Sequence, residues 1–414
     1  MRYICVSLYT NKTYETMKRF LWLMLLPLCF GSWAAEREWN ADSVQVYYES
    51  QVQPVIQKSW KNYNLIEKTY RQFFDRCKSL PDSVIDQSSW CFTEAYYNLA
   101  CCLSLKGRKR AAIDAFEQAI RYGYYDYAHA RQDTDLDNIR GDKRFQRLLA
   151  QLREVGDFNY ILRKSPGYDN TASTDSLPAF TYMAPNDSNL VRVRRYFNLD
   201  SIAGAGDEIS KIKNLLLWVH NTIRHDGSSY NPKVKNAIAI YEICKREDRG
   251  VNCRMMAQML NECYLAMGFK SRYVTCLPKS YINDCHVINA VYSCTLDKWV
   301  WVDPTWGAYV MDEEGNLLGL SEVRERLKTG QFVTVNDDAN WNHQVDCTTD
   351  YYLNYYMSKN LYYLQCSDIS GFDNETRIEG KVMPRYVTLS PEGEPYDNSF
   401  STSNEAWFWA SPYK

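Results

Sequence analysis

The hydrophobic and polar positions of this 414-residue chain divide it into a helical part and a part that mixes helices with strands. Residues 40–160 carry apolar positions at helical spacing. After them, amphipathic patterns predict three helices, at 207–224, 236–245 and 253–267. Three strand-like runs come next, at 271–277, 286–294 and 298–303. The chain is therefore predicted to belong to the α+β class.

Two segments of the helical part have the residue spacing of one tetratricopeptide helix pair, with Gly107 in the turn between them. The matching positions are Tyr96, Leu99, Ala100 and Leu103 in the first segment and Ala112, Phe116 and Ala119 in the second. Tyr124 stands where the consensus has proline. A single repeat cannot bury its own apolar face, so flanking helices are expected from residues 44–74 and 145–152. This small α-helical domain either binds peptides or serves packing alone.

A polar stretch rich in Ser, Thr, Asp and Pro is predicted to be a linker between the two parts. The expected division is a signal peptide, a tetratricopeptide-like helical domain, the linker, a core domain and an accessory segment, at residues 1–34, 36–164, 165–178, 179–365 and 366–414. Three further segments are expected to pack around the core, at residues 322–329, 351–364 and 407–409.

The first 34 residues have the features of an export signal. Met17-Lys18-Arg19 gives a positive start, residues 20–30 are apolar but too short to span a bilayer, and Ser32-Trp33-Ala34 resembles a cleavage site. The true start is expected at Met17 and the mature chain near Ala35, in a periplasmic or extracellular location. A lipoprotein modified at Cys29 is the disfavoured alternative, because the residue before it is large. No later apolar run has the length of a membrane helix.

Composition narrows the classes of partner. The formal net charge of −2 gives no indication of binding to nucleic acid or to an anionic surface. The 33 Tyr and 12 Trp suit contact surfaces for peptide or carbohydrate, and they equally suit β-rich cores and interfaces. Nothing in the sequence sets the oligomeric state.

The cysteines do not form a metal-binding pattern. Of the 14 cysteines, those beyond the signal contain no Cys-x-x-Cys spacing, so neither a zinc site nor any other metal or cofactor is predicted. Bridging among Cys276, Cys285 and Cys294 is open in an exported protein. If Cys253 is kept free, an odd number of cysteines remains beyond the signal, so they cannot all be paired in disulfides. We therefore expect most of them to be buried thiols that act as small hydrophobic groups.

Cys253 opens the third helix of the core, directly after the polar loop Gly250-Val251-Asn252. The unsatisfied N–H groups and the dipole of a helix N-terminus favour the thiolate form. His286 begins the second strand and Asp303 ends the third, and Thr295-Leu296-Asp297 between them is short enough to force an antiparallel hairpin. His286 and Asp303 therefore fall at one edge of the sheet. A helix packed across that sheet would bring the thiol to the imidazole.

These residue types together predict nucleophilic acyl transfer. The imidazole takes the proton of the thiol, and the carboxylate fixes the tautomer of the ring. The thiolate attacks an amide carbonyl, and the resulting thioester is taken by water or by an amine. The backbone N–H of Cys253 is expected to stabilise the oxyanion together with a donor from upstream.

At these residues the chain resembles the transglutaminase-like superfamily, whose core is related to papain. The resemblance covers about residues 209–309, and its elements are the Cys253 helix, Met267 to Val274, His286 to Val291 and Trp301 to Thr305. The family usually has an aromatic residue just after the histidine, where this chain has Val287 and Ile288. The resemblance implies a helix packed on an antiparallel sheet, in which Cys253 is the nucleophile, His286 the base and Asp303 the residue that orients it.

The resemblance also bears on the upstream donor and on the activity. Trp218 and His225 precede the nucleophile where the family supplies contacts on the oxyanion side, although Trp218 is more simply a core residue of its helix. The favoured hypothesis is an exported cysteine amidase or peptidase that hydrolyses protein, peptide or peptidoglycan-like amides. The alternatives are a protein-crosslinking transglutaminase and a catalytically silent module that binds protein or glycan.

Overall fold

The fold is known from a computed structural model that describes residues 39–59, 61–280, 284–397 and 399–413. Contacts divide the chain into two compact units, the first ending at Asp157 and the second beginning at Phe158. The predicted signal, with Met17 and Cys29, lies outside the described residues. Within the described part of the chain, no helix combines the length and the apolar character that crossing a membrane requires.

The first unit is helical. Its helices are α1 (Ala41–Tyr47), α2 (Gln53–Lys58), α3 (Tyr63–Cys77), α4 (Asp82–Gln87), α5 (Ser89–Leu105), α6 (Lys109–Arg121), α7 (Tyr127–Gln132), α8 (Asp137–Arg140) and α9 (Lys143–Gly156). A π-helical turn, Tyr48–Val52, joins α1 to α2, and a 3-10 turn, Thr134–Leu136, precedes α8.

Helices α5 and α6 form the predicted helix pair and pack against each other. Gly107 in their connection has a φ of 71°, a left-handed conformation that glycine adopts without a steric penalty. Phe116 of α6 is buried against Phe145 of α9, with ring centroids 5.0 Å apart. The flanking helices thus cover the apolar faces that the pair alone would expose. The likeness to a tetratricopeptide repeat stays a prediction.

The second unit combines helices with strands. Its helices are α10 (Phe158–Lys164), α11 (Ser188–Phe197), α12 (Leu199–Ala203), α13 (Glu208–Thr222), α14 (Ala237–Glu247), α15 (Cys253–Ala266), α16 (Leu320–Thr329), α17 (Ser358–Asn360) and α18 (Glu405–Phe408), with a π-helix at Asp350–Met357. Its strands are β1 (Thr181–Tyr182), β2 (Ser271–Leu277), β3 (His286–Ser293), β4 (Lys298–Asp303), β5 (Ala308–Met311), β6 (Thr334–Val335), β7 (Asn340–Trp341), β8 (Val345–Asp346), β9 (Tyr363–Ser367), β10 (Ile369–Ser370), β11 (Tyr386–Leu389) and β12 (Phe400–Thr402).

Among the described residues, eight strands form one mixed sheet in the order β12-β11-β9-β2-β3-β4-β5-β6. Strands β11 and β12 are parallel, and the other neighbours are antiparallel. The α+β prediction is confirmed. Strands β2 and β4 have the predicted bounds, and β3 ends one residue earlier than predicted.

Helices cover both faces of the sheet, which is why β3 is buried along its whole length. On one face, Ile288 and Ala290 pack in a cluster that includes Val323 of α16. On the other face, Val291 packs in a cluster that includes Leu260 of α15. Alternate residues of β3 therefore bury opposite faces, and α15 lies across the sheet as predicted.

The predicted linker is packed into the second unit. Helix α10 contacts α16, so the division at Asp157 falls before residue 164, where the helical domain was expected to end. The guanidinium of Arg324 in α16 is 1% exposed, and it donates to Ser165 Oγ at 2.8 Å and lies 4.7 Å from the ring of Tyr168. A buried guanidinium needs such partners, and the polar segment supplies them.

The C-terminal segment, predicted as an accessory from residue 366, belongs to the core. It supplies β11 and β12 to the large sheet. The buried Arg272 of β2 donates to the carbonyl oxygen of Phe408 at 2.8 Å, and its guanidinium lies 4.3 Å from the ring of Trp299. The segment thus closes the core around a buried cation.

Candidate active site

Cys253 is the first residue of α15 because the preceding asparagine caps the helix. The side chain of Asn252 accepts a hydrogen bond from the backbone N–H of Met255 at 3.1 Å. The first N–H groups of a helix have no partner inside the helix, so they face whatever lies at its end. Cys253 itself is half-buried. Its sulfur therefore lies at the positive end of the helix.

The β3–β4 hairpin brings His286 to Asp303. Asn289 of β3 pairs with Val302 of β4, so the start of one strand lies beside the end of the other. His286 Nε2 lies 2.7 Å from Asp303 Oδ2, and the two residues are 2% and 0% exposed. The turn between the strands includes Asp297 with a φ of 49°. The predicted hairpin and the predicted meeting of these two side chains are both observed.

Asp303 is held by two further donors. The backbone N–H of Thr305 donates to Oδ1 at 2.8 Å, and the hydroxyl of Tyr352 donates to Oδ2 at 2.6 Å. Trp301 Nε1 in turn donates to the hydroxyl of Tyr352 at 3.3 Å. Since the carboxylate accepts from His286 Nε2, the other ring nitrogen, Nδ1, is left for the sulfur.

The charges of the site stabilise one another. Burial alone would raise the pKa of the Cys253 thiol, but hydrogen bonds with His225 and His286 outweigh it and lower the pKa from 9.0 to about 6. Burial also disfavours the imidazolium of His286, yet Asp303 and Cys253 raise its pKa from 6.5 to about 10. The Asp303 carboxyl is likewise desolvated, and His286 still holds its pKa below the usual range. A thiolate beside an imidazolium is the stable state between pH 6 and pH 10.

The two predicted upstream residues have different positions. His225 contacts the sulfur of Cys253 and lowers its pKa. Trp218 of α13 packs edge-on against Phe197, with ring centroids 5.0 Å apart, in the helical cluster of the second unit. Among the described residues, no recorded contact joins Trp218 to Cys253, and its oxyanion-side role stays a prediction. An indole half-buried among apolar residues serves packing.

The segment that contains these residues matches a known family in sequence. Residues 196–304, about a quarter of the chain, match the model of the Transglutaminase-like superfamily and include Cys253, His286 and Asp303. These residues form a transglutaminase-like domain. The match begins and ends inside the second unit, so the helical first unit lies outside it.

Two similar proteins cover other shares of the chain. A chloroplastic protein of Arabidopsis thaliana is 42% identical over 60 residues, which are 14% of this chain and 18% of that protein. A crystal structure of "a Putative Cysteine Protease from Cytophaga hutchinsonii" is 15% identical and covers 36% of this chain and 54% of that one, with a TM-score of 0.23. The chain thus spans under a fifth of the first relative and about half of the second. A TM-score this low does not establish a common fold.

Side chains on both sides of the transglutaminase-like site are held by ring contacts and ion pairs. The ring of Tyr356 meets the ring of His286 edge-on, with centroids 5.3 Å apart, and Lys359 pairs with Asp284 beside it. On the other flank, Arg254 donates to Glu375 Oε1 at 3.1 Å. Burial opposes the charge of Glu375, and Arg254 nevertheless holds its pKa below the usual range.

The cysteines of the described residues are all free, and most are buried. Burial raises the pKa of Cys276, and burial together with the nearby Cys253 raises the pKa of Cys285. In the transglutaminase-like domain, Cys253 and Cys285 are both half-buried and their pKa values move in opposite directions. Exposure therefore does not explain the acidity of Cys253, and its imidazole partners do.

Proposed function

We propose that this protein is a cysteine-dependent enzyme that cleaves peptide amides through a thioester and passes the acyl group to water. The observation that carries the proposal is the contact of a half-buried thiol at a helix N-terminus with His286, whose other nitrogen is bonded to the buried Asp303 at 2.7 Å. Each part of this arrangement favours the ionised pair that attacks a carbonyl.

In the first step, the thiolate of Cys253 forms a carbon–sulfur bond with the amide carbonyl, and the π electron pair moves to oxygen. The backbone N–H groups at the start of α15, which have no partner inside the helix, are donors for that oxyanion. The imidazolium of His286 then gives its Nδ1 proton to the amide nitrogen. The carbon–nitrogen bond breaks, and ammonia or an amine leaves a thioester on Cys253.

In the second step, neutral His286 takes a proton from water, and the hydroxide attacks the thioester carbonyl. The carbon–sulfur bond breaks, the carboxylic acid leaves, and the thiolate–imidazolium pair is restored. An amine in place of water would give a crosslink by the same steps. Water is favoured because it outcompetes amines wherever no dry channel excludes it.

We further propose that the enzyme acts after export on protein, peptide or peptidoglycan-like amides. The positive start at Met17-Lys18-Arg19, the apolar residues 20–30 and the cleavage-like Ser32-Trp33-Ala34 support export. The helix pair α5 and α6 is proposed to be tetratricopeptide-like on the spacing of its small and large residues.

The test uses the whole chain with casein and with peptidoglycan stem peptides as substrates. New amino termini report peptidase action, released ammonia reports deamidation, and a fluorescent primary amine reports crosslinking. The proposal expects new termini or ammonia with the wild type and neither with Cys253→Ala. Amine incorporation faster than hydrolysis would establish crosslinking instead. Absence of all products, with binding to the peptides retained in Cys253→Ala, would establish the silent binding module.

A further inference from the structure

His225 is brought beside the nucleophile by the backbone. His225 and Val251 form an isolated parallel bridge, in which Val251 N donates to the carbonyl oxygen of Arg224 at 3.1 Å and Asp226 N donates to that of Val251 at 2.8 Å. A Cβ on Gly250 would lie 2.5 Å from the same Arg224 oxygen, so the close approach requires glycine there. The bridge fixes His225 opposite a residue two positions before Cys253.

The protonation state of His225 follows from its partners. Trp341 Nε1 donates to His225 Nδ1 at 3.1 Å. An indole nitrogen is only a donor, so Nδ1 accepts, and the proton of this imidazole is on Nε2. Nδ1 is thereby occupied, and Nε2 is the nitrogen that remains for the contact with the Cys253 sulfur. His225 thus faces the sulfur with its Nε2–H group.

The β7–β8 hairpin that carries Trp341 is anchored to the catalytic end of the sheet. Asn342 accepts from the backbone N–H of His225 at 2.7 Å and donates to its carbonyl oxygen at 2.9 Å. The buried His220 lies 3.2 Å from Asn340 Oδ1 through Nε2 and 3.1 Å from the carbonyl oxygen of Pro304 through Nδ1. Pro304 follows Asp303 directly. The hydrogen bonds of the β7–β8 hairpin therefore connect to His225 and, through Pro304 and Asp303, to His286.

We propose that Trp341 is a positioning residue for acyl transfer: its indole N–H keeps the ring proton of His225 on Nε2, and this N–H donates to the Cys253 sulfur at rest and to the carbonyl oxygen of the substrate after attack. The donation to the Cys253 sulfur rests on the geometry of the resting site. The donation to the substrate oxygen rests on the proposed function. No proton leaves His225 in the cycle. It supplies a preorganised donor where negative charge develops, and His286 alone moves protons.

The test compares variants that keep or lose the donor. His225→Gln keeps an N–H donor and an acceptor for the indole, whereas His225→Phe keeps neither. We expect His225→Phe to lower kcat about 10²-fold with KM little changed, because the lost donor acts on the transition state. His225→Gln should recover most of that loss. Trp341→Phe keeps an aromatic ring without the N–H and should lower kcat in the same direction by less.

Two readouts do not depend on turnover. Nitrogen-15 spectra of the ring, assigned with His225→Gln, should show the proton of His225 on Nε2 in the wild type, and Trp341→Phe should allow the Nδ1–H tautomer to form. The pH midpoint for alkylation of Cys253 should rise in His225→Phe. Trp409→Phe is the matched control, since the buried Trp409 Nε1 has no hydrogen-bond partner among the described residues.

The inference is overturned if the proton of His225 lies on Nδ1, or if Trp341→Phe matches Trp409→Phe in alkylation, ring spectra and turnover. If the wild type transfers acyl groups but Trp341→Phe is indistinguishable from it, this inference fails and the proposed function stands. The wild type could instead have no activity while Trp341→Phe changes the spectra and the alkylation midpoint. In that case the proposed function fails, together with the proposed donation to the substrate oxygen, and the resting contact of His225 with the sulfur stands.

Discussion

Two imidazoles flank one sulfur, and the two regions that hold them give them opposite chemistry. At the end of the large sheet, Asp303 accepts from His286 and favours its cation. At the β7–β8 hairpin, Trp341 donates to His225 Nδ1 and leaves the ring proton on Nε2. A carboxylate behind one ring and an indole N–H behind the other decide which histidine exchanges protons and which only donates a hydrogen bond.

The partner of the far ring nitrogen sets the role of each histidine at the nucleophile. Both rings contact the thiol, and both contacts lower its pKa. Only His286 has a buried anion that stabilises a positive charge through the catalytic cycle. Changes on the sheet side should therefore affect proton transfer, and changes on the hairpin side should affect charge stabilisation.

The largest expected effect comes from removing the proton carrier. In His286→Ala the thiol has no base and the leaving amine has no acid, so kcat should fall by about 10⁵-fold or more. The measurement is the rate of amide hydrolysis beside Cys253→Ala. A fall no larger than that of His225→Phe would mean that the two histidines are equivalent and would break the comparison.

The next effect comes from removing the charge behind His286. The amide of Asp303→Asn would present an N–H to His286 Nε2, force the wrong tautomer and lower kcat by about 10⁴-fold. Asp303 raises the pKa of His286 to about 10, so its loss lowers that pKa, and the alkaline limb of the rate profile should move to lower pH. The acidic limb follows Cys253, with a pKa of about 6. An unmoved alkaline limb in the pH profile of kcat/KM would contradict the orienting role of Asp303.

A smaller effect is expected from the hydroxyl behind Asp303. Tyr352→Phe keeps the buried ring but removes the donor to the carboxylate, and we expect a loss of about 1.5–3 kcal/mol in the free energy of unfolding. The matched control is Tyr351→Phe, whose side chain is half exposed and should change that free energy by less than about 0.5 kcal/mol. Urea titrations of both variants give the comparison. Equal stabilities would show that the hydroxyl contributes nothing to the buried carboxylate.

The smallest effect is expected from Trp218. Trp218→Phe keeps an aromatic ring against Phe197, and kcat and the alkylation midpoint of Cys253 should stay at the wild-type values. Amide hydrolysis and alkylation are measured beside Trp341→Phe. A loss in Trp218→Phe as large as in Trp341→Phe would assign the upstream donor to α13 instead of the hairpin.

The sheet side of the site was predictable from the sequence because local signals determine it. Asn252 caps the nucleophile helix and so sets its start. The short connection at Thr295-Leu296-Asp297 sets the hairpin, and the strand patterns around it place His286 and Asp303 at one edge of the sheet. Gly268, with a φ of 90°, follows the end of the nucleophile helix, as glycine does at many helix C-termini. Local patterns thus predicted the start of the nucleophile helix and the meeting of His286 with Asp303, which lie 17 positions apart.

The contacts of Trp341 and Tyr352 were not predictable, since they join distant segments. Trp341 reaches His225 across 116 positions, and Tyr352 reaches Asp303 across 49. Tyr352 is one of the 33 tyrosines of the chain, and it lies in a segment that was expected only to pack around the core. Nothing in its local pattern distinguishes it. The polar segment at Ser165 was taken for a linker because its burial partner, Arg324, lies 159 positions away. Tertiary contacts of this range leave no periodic signal.

The most direct test of the central claim is the rate of iodoacetamide alkylation at Cys253 against pH, followed by peptide mass spectrometry. Cys285 is an internal reference, because it is also half-buried and its pKa is raised. The account predicts that Cys253 reacts with a midpoint near pH 6 and faster than Cys285 at neutral pH. A midpoint near the ordinary thiol value of 9.0, or equal rates at the two cysteines, would contradict the thiolate–imidazolium pair.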